Sequence, residues 1–532
     1  MPAAARPPGT VRDAVVDVLR HHRAHVLFGN PGTTELPFLA DLPPDLRYVA
    51  GLNESSVTAI ADGYAQATGR PVLVNLHTAP GLGNAMGSLV NAYAAGSPLV
   101  VLTGQQRRDL IGADAILTNR NPVLLPLGAV KHAEEPAGAQ DVPAALARAF
   151  HLAGLPPTGP VAVSVPMDDW DRPLRPAPAT TAITTRVTGG ATAPADVLEE
   201  LADRLAAARS PALVVGPGTD DRRGYWAVAE LADRLAAPVW VTPWAHRLGF
   251  PTDHPGFVGQ LPLDSGPAAA ALEPHDLVLV LGGPVFRYMF AEQWPALAPG
   301  TELVALTDDP GQAARNLAGE TVLCDVPGTV RALCRALADR GSERPPGPPP
   351  ARPPAEATPG YAQAALALHQ VMPPEAVLVV EPPQSYEYLL RALPRTRPGS
   401  LYFAAACGLG FALGAAVGIQ LAEPERPVVA LVGDGAVQYN LQALWTAVLE
   451  RLPITVLVVN NGGYGILKDF ADRGRLSAVP ALDLPHIDLT ALARGYQVPA
   501  LRVPADPARI AAALRTPLPP GPRLIEVVVP AR

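Results

Sequence analysis

Short, unbroken apolar runs alternate with longer stretches of helical period along almost the whole chain. Val72–Leu76, Leu99–Leu102 and Val161–Val165 fall in its first third, and Leu213–Val215, Val239–Val241 and Leu277–Leu281 in its second. Val377–Val380, Val428–Val432, Ile454–Val459 and Leu524–Val529 fall in its last. Runs of this length bounded by Gly and Pro fit central parallel strands, which are covered on both faces and so show no polar alternation. Strands alternating with helices in this way predict an α/β protein of three consecutive doubly wound parallel-sheet domains. Two Pro-rich stretches interrupt the pattern, Asp171–Pro194 and Gly341–Pro359. Proline fixes φ and removes a backbone donor, so neither stretch can pack as a helix or central strand. The expected division is an N-terminal domain over 1–180, a middle domain over 190–340, a linker over 341–359 and a C-terminal domain over 360–532.

Composition narrows the function classes. A chain of 532 residues allows three domains of roughly 150–200 residues each. The formal net charge of −8 leaves no footprint for nucleic acid or an anionic membrane surface. Cys324, Cys334 and Cys407 form no CxxC pair, which argues against a disulfide framework and a zinc site. Met1–Leu19 carries Arg6, Arg12, Asp13 and Asp17 and lacks the apolar centre of a signal peptide. Gly399–Ala422 is uncharged and long enough to span a bilayer. It also contains Gly408, Gly410, Gly414 and Gly418 and has no companion span, so a buried loop and helix are expected. The simplest location is the cytoplasm.

Open parallel sheets bind ligands at the carboxyl ends of their strands, and the distinctive residues of this chain fall there. Gly433-Asp434-Gly435 directly follows Val428–Val432, and Asn460-Asn461 directly follows Ile454–Val459. Asp434 offers a carboxylate oxygen and Asn461 an amide oxygen. Magnesium takes oxygen ligands in octahedral geometry and shares them with phosphates. Either turn alone would be unremarkable; together, each after its own strand, they form a pattern. The pairing resembles the cofactor signature of thiamine-diphosphate enzymes. That resemblance implies that Asp434, Asn461 and the Gly463 carbonyl hold Mg²⁺. It also implies that Gly435, Ala436, Tyr464, Gly465, Ile466 and Leu467 line the diphosphate or substrate side.

Such a cofactor needs a carboxylate at its aminopyrimidine ring, best placed in a dry site. The candidate is Glu54, followed by Ala61-Asp62-Gly63-Tyr64-Ala65, a helix similar to that of the same enzymes. Leu409, in Ala406-Cys407-Gly408-Leu409-Gly410, matches the apolar wedge that bends the cofactor, with the Cys407 carbonyl accepting from its amino group. Family members pair the glutamate with the metal domain of a neighbouring subunit, which implies a homo-oligomer, as a dimer of dimers (a homotetramer).

The resemblance becomes closer at the N-terminus and extends over nearly the whole chain. Phe28-Gly29-Asn30-Pro31-Gly32-Thr33-Thr34-Glu35-Leu36-Pro37-Phe38-Leu39 and Leu76-His77-Thr78-Ala79-Pro80-Gly81-Leu82-Gly83-Asn84 are similar to segments of the benzoylformate-decarboxylase type. They imply that Thr33 holds a substrate carboxylate, that His77 is catalytic, and that Pro31 and Asn84 contact the cofactor. Leu117, Phe403, Leu467 and Phe470 keep an apolar wall, which favours loss of a carboxylate stripped of water.

Three positions depart from that type. Met289 stands where a second histidine is expected, and a thioether cannot exchange a proton. Ile466 replaces an alanine and narrows the pocket. Glu381-Pro382-Pro383-Gln384-Ser385 replaces a Ser/Thr-rich loop. The expected reaction is non-oxidative decarboxylation of an aromatic or branched 2-oxo acid, a small-molecule substrate. The alternatives are a carboligation of acetolactate-synthase or benzoin type, and a non-catalytic relative. Gly216-Pro217-Gly218 resembles only part of a dinucleotide turn, and a structural middle domain is expected.

Overall fold

The computed structural model describes residues 9–175, 185–187, 189–284, 287–289, 297–316, 318–341, 355, 357–381, 385–517 and 520–529. Phe286, Phe290, Pro382–Gln384 and most of the expected linker lie outside these residues. Three six-stranded sheets follow one another along the chain, with all paired strands parallel. The first is built from β1 (Val26–Asn30), β2 (Arg47–Ala50), β3 (Val72–Leu76), β4 (Leu99–Gln105), β5 (His132–Glu134) and β6 (Val161–Pro166), in the order β2-β1-β3-β4-β6-β5. The second uses β7 (Pro211–Val215), β8 (Val239–Val241), β9 (Phe257–Gln260), β10 (Leu277–Leu281), β11 (Glu302–Thr307) and β12 (Glu320–Leu323), in the order β12-β11-β10-β7-β8-β9. The third uses β13 (Val377–Val380), β14 (Leu401–Phe403), β15 (Val428–Gly433), β16 (Ile454–Asn460), β17 (Ala500–Pro504) and β18 (Arg523–Val528), in the order β14-β13-β15-β16-β18-β17.

The central strands β3, β4, β6, β10 and β13 are buried at every position, which is why they read as continuous apolar runs. The strand order reverses beside β1, β7 and β13, so the chain diverges at the carboxyl ends of β1 and β3, β7 and β10, and β13 and β15. These are the crevices where doubly wound sheets take ligands. In the second sheet the crevice is filled by its own backbone. Gly218 N donates to Gly282 O at 2.8 Å, and a Cβ on Gly216 would lie 2.4 Å from Gly283 Cα. The first and third crevices carry the residues singled out in the sequence.

Five helices position those residues: α1 (Glu54–Thr68), α2 (Thr78–Ala94), α3 (Phe411–Ala422), α4 (Asp434–Val437) and α5 (Gly465–Arg473). Helices α1 and α3 pack across the junction of the first and third sheets through small residues. A Cβ on Gly418 would meet Ile60 O at 1.9 Å, and one on Gly63 would meet Ala415 O at 2.3 Å. The uncharged stretch Gly399–Ala422 therefore forms β14, a loop and a buried 12-residue helix. Among the described residues no helix is long and apolar enough to cross a membrane.

Asp62 of α1 is fully buried and accepts from the Ser97 hydroxyl and from Gln66 Nε2, the latter at 2.9 Å. Burial pushes its carboxyl up to about 6. The native state therefore keeps a proton that the unfolded chain releases near 3.8, so stability falls as pH rises between ~4 and ~6. Asp62→Asn should flatten that decline in Tm. Gly418→Ala should destabilise by about 1–3 kcal/mol through overpacking, read as a lower denaturation midpoint. Gly495→Ala, with nothing within 4 Å of the added carbon, should leave the midpoint within experimental error.

Candidate active site

The turn after β1 places Glu35 under His77, the residue after β3. Glu35 is 2% exposed. Its Oε2 accepts from Gly32 N at 2.8 Å and lies 2.8 Å from His77 Nδ1, while its Oε1 accepts from Thr34 Oγ1 at 2.6 Å. A carboxylate can only accept, so Nδ1 carries the hydrogen and Nε2 is left for other partners. Two glycines make the room: a Cβ on Gly32 would sit 2.1 Å from His77 Nδ1, and one on Gly104 would sit 1.8 Å from Glu35 Oε1. The His77 side chain remains 21% exposed, so the ring is anchored on one side and open on the other.

Glu54 opens α1 after the Asn53 side chain accepts from Ser55 N at 2.8 Å, a conventional helix cap. Its Oε2 accepts from Asn84 Nδ2 of α2 at 3.1 Å, and the residue is 8% exposed. Gly81 separates the two groups: its Cβ would lie 2.9 Å from Glu54 Oε1 and 3.2 Å from His77 Cβ. Glu54, His77 and Asn84 thus share one crevice. Thr33 and Pro31 stand exposed on the turn above it, and it is Thr34 that bonds inward.

At the third sheet, Asp434 begins α4 and Asn461 follows β16, with Gly433 paired to Val459. With the Asn461 amide oriented to satisfy its neighbours, its nitrogen donates to Asp434 Oδ1 at 3.2 Å and to Gly463 O at 2.7 Å. Turning the amide over would bring its oxygen beside these two, giving three oxygens among which a cation could sit. The separations bracket the ~2.9 Å octahedral edge that follows from Mg–O bonds of ~2.1 Å. Burial raises the Asp434 carboxyl above its ordinary range, an effect that backbone N–H groups of Gly435, Gly462 and Gly463 oppose. A bound cation would supply the charge stabilisation that burial removes. The donor set therefore fits a hard divalent metal.

The substrate-side candidates lie on several elements. Ala436 is buried, and a Cβ on Gly435 would meet the Tyr464 ring at 2.6 Å, so Gly435 and Tyr464 are in close contact. Ile466 and Phe470 lie four residues apart on one face of α5, beside Gly465 and the exposed Leu467. Leu117 is half-buried with φ 75°. Phe403 ends β14 in the core, its ring 5.1 Å from that of Tyr386. Met289 is 47% exposed, its N donating to Leu263 O at 2.9 Å.

The structure adds residues that sequence reasoning passed over. Glu35 was visible only as part of a turn. Glu381 follows β13 as Asp434 follows β15, a carboxylate directly after an apolar strand, and this was its available signal. Burial pushes Glu381 up to about 7. Its Oε2 accepts from Ala412 N at 2.9 Å and its Oε1 from Gly410 N, so it caps α3. Cys407, with φ 56°, and the 38%-exposed Leu409 precede that cap.

Three such sheets, with a carboxylate–amide cradle on the third and a buried acid–histidine crevice on the first, define a cofactor-dependent enzyme. The chain matches the thiamine pyrophosphate enzyme N-terminal TPP binding domain over residues 9–125, the central domain over 198–333 and the C-terminal TPP binding domain over 384–527. It therefore belongs to the thiamine pyrophosphate (thiamine diphosphate) enzymes, in the branch of benzoylformate decarboxylase. It is 43% identical over 498 residues to benzoylformate decarboxylase of Pseudomonas aeruginosa, covering 92% of this chain and 93% of that one. The 4-hydroxybenzoylformate decarboxylase structure from Rhodococcus jostii superposes with TM-score 0.92 at 39% identity, over 98% of this chain and 100% of that one. Benzoylformate decarboxylase from Polynucleobacter necessarius gives 0.91 at 35%, over 98% of each. An acetolactate synthase of Mycobacterium bovis is more distant, at 28% identity over 87% of this chain and 77% of that one. The cofactor is thiamine diphosphate with a divalent metal, typically Mg²⁺.

Asp434→Asn removes the one charged oxygen of the cradle. It should weaken Mg²⁺-supported thiamine diphosphate binding at least ~10-fold in isothermal titration. An unchanged affinity would remove Asp434 from the metal site.

Proposed function

We propose that the chain catalyses the thiamine-diphosphate- and Mg²⁺-dependent, non-oxidative decarboxylation of an aromatic or branched 2-oxo acid to an aldehyde and CO₂. The observation that carries this reading is the Glu35–His77 pair sharing a crevice with Glu54, separated from it only by Gly81. The printed activities of the Pseudomonas and Rhodococcus relatives support a benzoylformate-like substrate.

Thiamine diphosphate, when bound, supplies a carbon nucleophile and an electron sink for cleaving the bond to the carboxylate. Asp434, Asn461 and the Gly463 carbonyl would hold the metal, which would neutralise the cofactor's diphosphate. Glu54 would hold the pyrimidine ring of the bound cofactor through its carboxylate, which the Asn84 amide keeps directed. The Thr33 hydroxyl, exposed on its turn, binds the substrate carboxylate. His77 Nε2 faces the substrate oxygen and donates or accepts a proton there, since Glu35 fixes Nδ1. Leu409, Leu467, Phe470 and Leu117 exclude water, and a carboxylate stripped of water is easier to lose. Pro31, Cys407, Ala436, Tyr464, Gly465 and Ile466 complete the cofactor and substrate walls.

Carboligation is the second reading, and Met289 favours it. A thioether cannot deliver a proton, so His77 or water must protonate the product carbon. Slow protonation leaves time for an acceptor aldehyde to react. Measuring CO₂ and aldehyde from phenylglyoxylate, with and without added aldehyde, separates the two. A condensed product in excess of free aldehyde would displace decarboxylation as the main activity.

The two crevices belong to different sheets, and each is bordered by exposed apolar side chains. Leu52 lies two residues before Glu54 at the first, and Leu409, Tyr439 and Leu467 lie at the third. This arrangement supports an active site completed between subunits of a dimer of dimers. Glu54→Gln and Asp434→Asn should each abolish turnover with the fold retained. Mixing the two variants under subunit exchange should restore about a quarter of wild-type activity, because one site of each mixed pair is intact. No recovery would refute a shared site. Glu35→Gln keeps the shape but frees the His77 ring, and should lower kcat by ~100-fold or more. Unaltered kcat would separate Glu35 from catalysis.

A further inference from the structure

The loop from Ala404 to Gly410 is held from two domains. The third sheet supplies Glu381, described above, and Asn440, whose Nδ2 donates to Gly410 O. The first domain supplies Asn91 of α2, which is 3% exposed. Asn91 Oδ1 accepts from Ala406 N at 3.3 Å and from Gly408 N at 3.2 Å, and Nδ2 donates to Gly408 O at 3.0 Å. One side chain thus satisfies three backbone groups on either side of Cys407. The fit is close: a Cβ on Gly408 would lie 2.8 Å from Asn91 Nδ2. Cys407 holds φ at 56°, a conformation that a non-glycine residue keeps only where its surroundings over-determine it.

Helix α2 has further duties. His77 precedes its first residue, and Asn84, which holds Glu54, lies seven residues before Asn91. Two helical turns, ~10 Å, therefore separate the contact to Glu54 from the contact to the loop, on the same side of one rigid element.

We propose that Asn91 is a positioning residue that sets the Cys407–Leu409 loop to receive thiamine diphosphate, making a first-domain helix part of the third sheet's binding surface. The proposal rests on the reading of that loop as the cofactor's support. Asn91 reaches the cofactor only through the loop backbone. Its removal leaves the Ala406 and Gly408 amides and the Gly408 carbonyl without a protein partner, and frees Cys407 to leave the left-handed region. The same contacts tie the loop of one crevice to the helix that orders Glu54 in the other.

The test compares Asn91→Ala with Thr446→Val in the full-length protein. Thr446 Oγ1 donates to Ala50 O at 2.9 Å, so it crosses the same junction between the first and third domains without touching the loop. Two quantities are read: hydrogen exchange of the 404–410 peptide without cofactor, and the thiamine diphosphate Kd by isothermal titration at saturating Mg²⁺. Asn91→Ala should speed exchange about tenfold and raise Kd about tenfold, the loss expected for one or two net hydrogen bonds. Thr446→Val should lower Tm and leave both quantities at wild-type values. Wild-type Kd in Asn91→Ala, or an equal rise in Thr446→Val, would overturn the proposal by reducing Asn91 to interface stability. If the wild type binds no thiamine diphosphate, the cofactor reading fails by itself. Exchange then decides the clamp: wild-type protection in Asn91→Ala overturns it as well.

Discussion

A carboxylate buried at the carboxyl edge of a parallel sheet must be met by donors or by a cation, and much of this structure follows from that requirement. Glu35, Glu54, Glu381 and Asp434 all lie within a few residues of a strand end, and all are below one-tenth exposed. Each is answered differently. Glu35 takes a backbone N–H, a hydroxyl and an imidazole. Glu54 takes one amide at Oε2, and its Oε1 lies beside Gly81. Glu381 takes the first N–H groups of a helix. Asp434 takes the N–H groups of Gly435, Gly462 and Gly463 and the Asn461 amide nitrogen.

These answers divide labour. Groups whose partners are all protein, such as Glu35 and Glu381, orient something else: a histidine ring in one case and a loop in the other. Glu54, whose carboxylate has one hydrogen-bond donor among the described residues, is the one with capacity for a ligand. The glycines follow the same logic. Gly32, Gly81 and Gly104 are absent side chains that let carboxylate and imidazole approach, whereas Gly216 and Gly283 let two backbones close a crevice and leave the second sheet without one.

The division into three sheets also explains why the site is assembled from distant parts. Parallel strands deliver their following residues to one edge, but a single sheet delivers only one such edge. The Glu35–His77–Glu54 crevice and the proposed metal cradle sit on different sheets, linked by the packing of α1 on α3 and by Asn91 and Ser56, the latter bonded to Asn440 at 2.9 Å. A change in that packing alters the relation between the two sets without touching either.

Much of this was legible in the chain itself. Most fully buried strands announced themselves because both faces are covered, although the three-residue β14 was taken for loop, and turns directly after them, such as Gly433-Asp434-Gly435 and Leu76-His77, were legible by position. The edge strands β2, β12 and β17 were not, because they are partly exposed and lack a continuous apolar run. Central β1 was missed for another reason: Gly29 interrupts its pattern, and only the folded state shows that Gly29 is there because a Cβ would meet Tyr48 and Asn75. Local order thus determined the elements, the strand-end chemistry and the likeness to a family. Tertiary structure alone decided that Glu35 meets His77 from 42 residues away and that Asn91 meets Gly408 from 317. Partners so far apart leave no periodicity to read, since what joins them is the order of strands in a sheet and the face one helix turns to another.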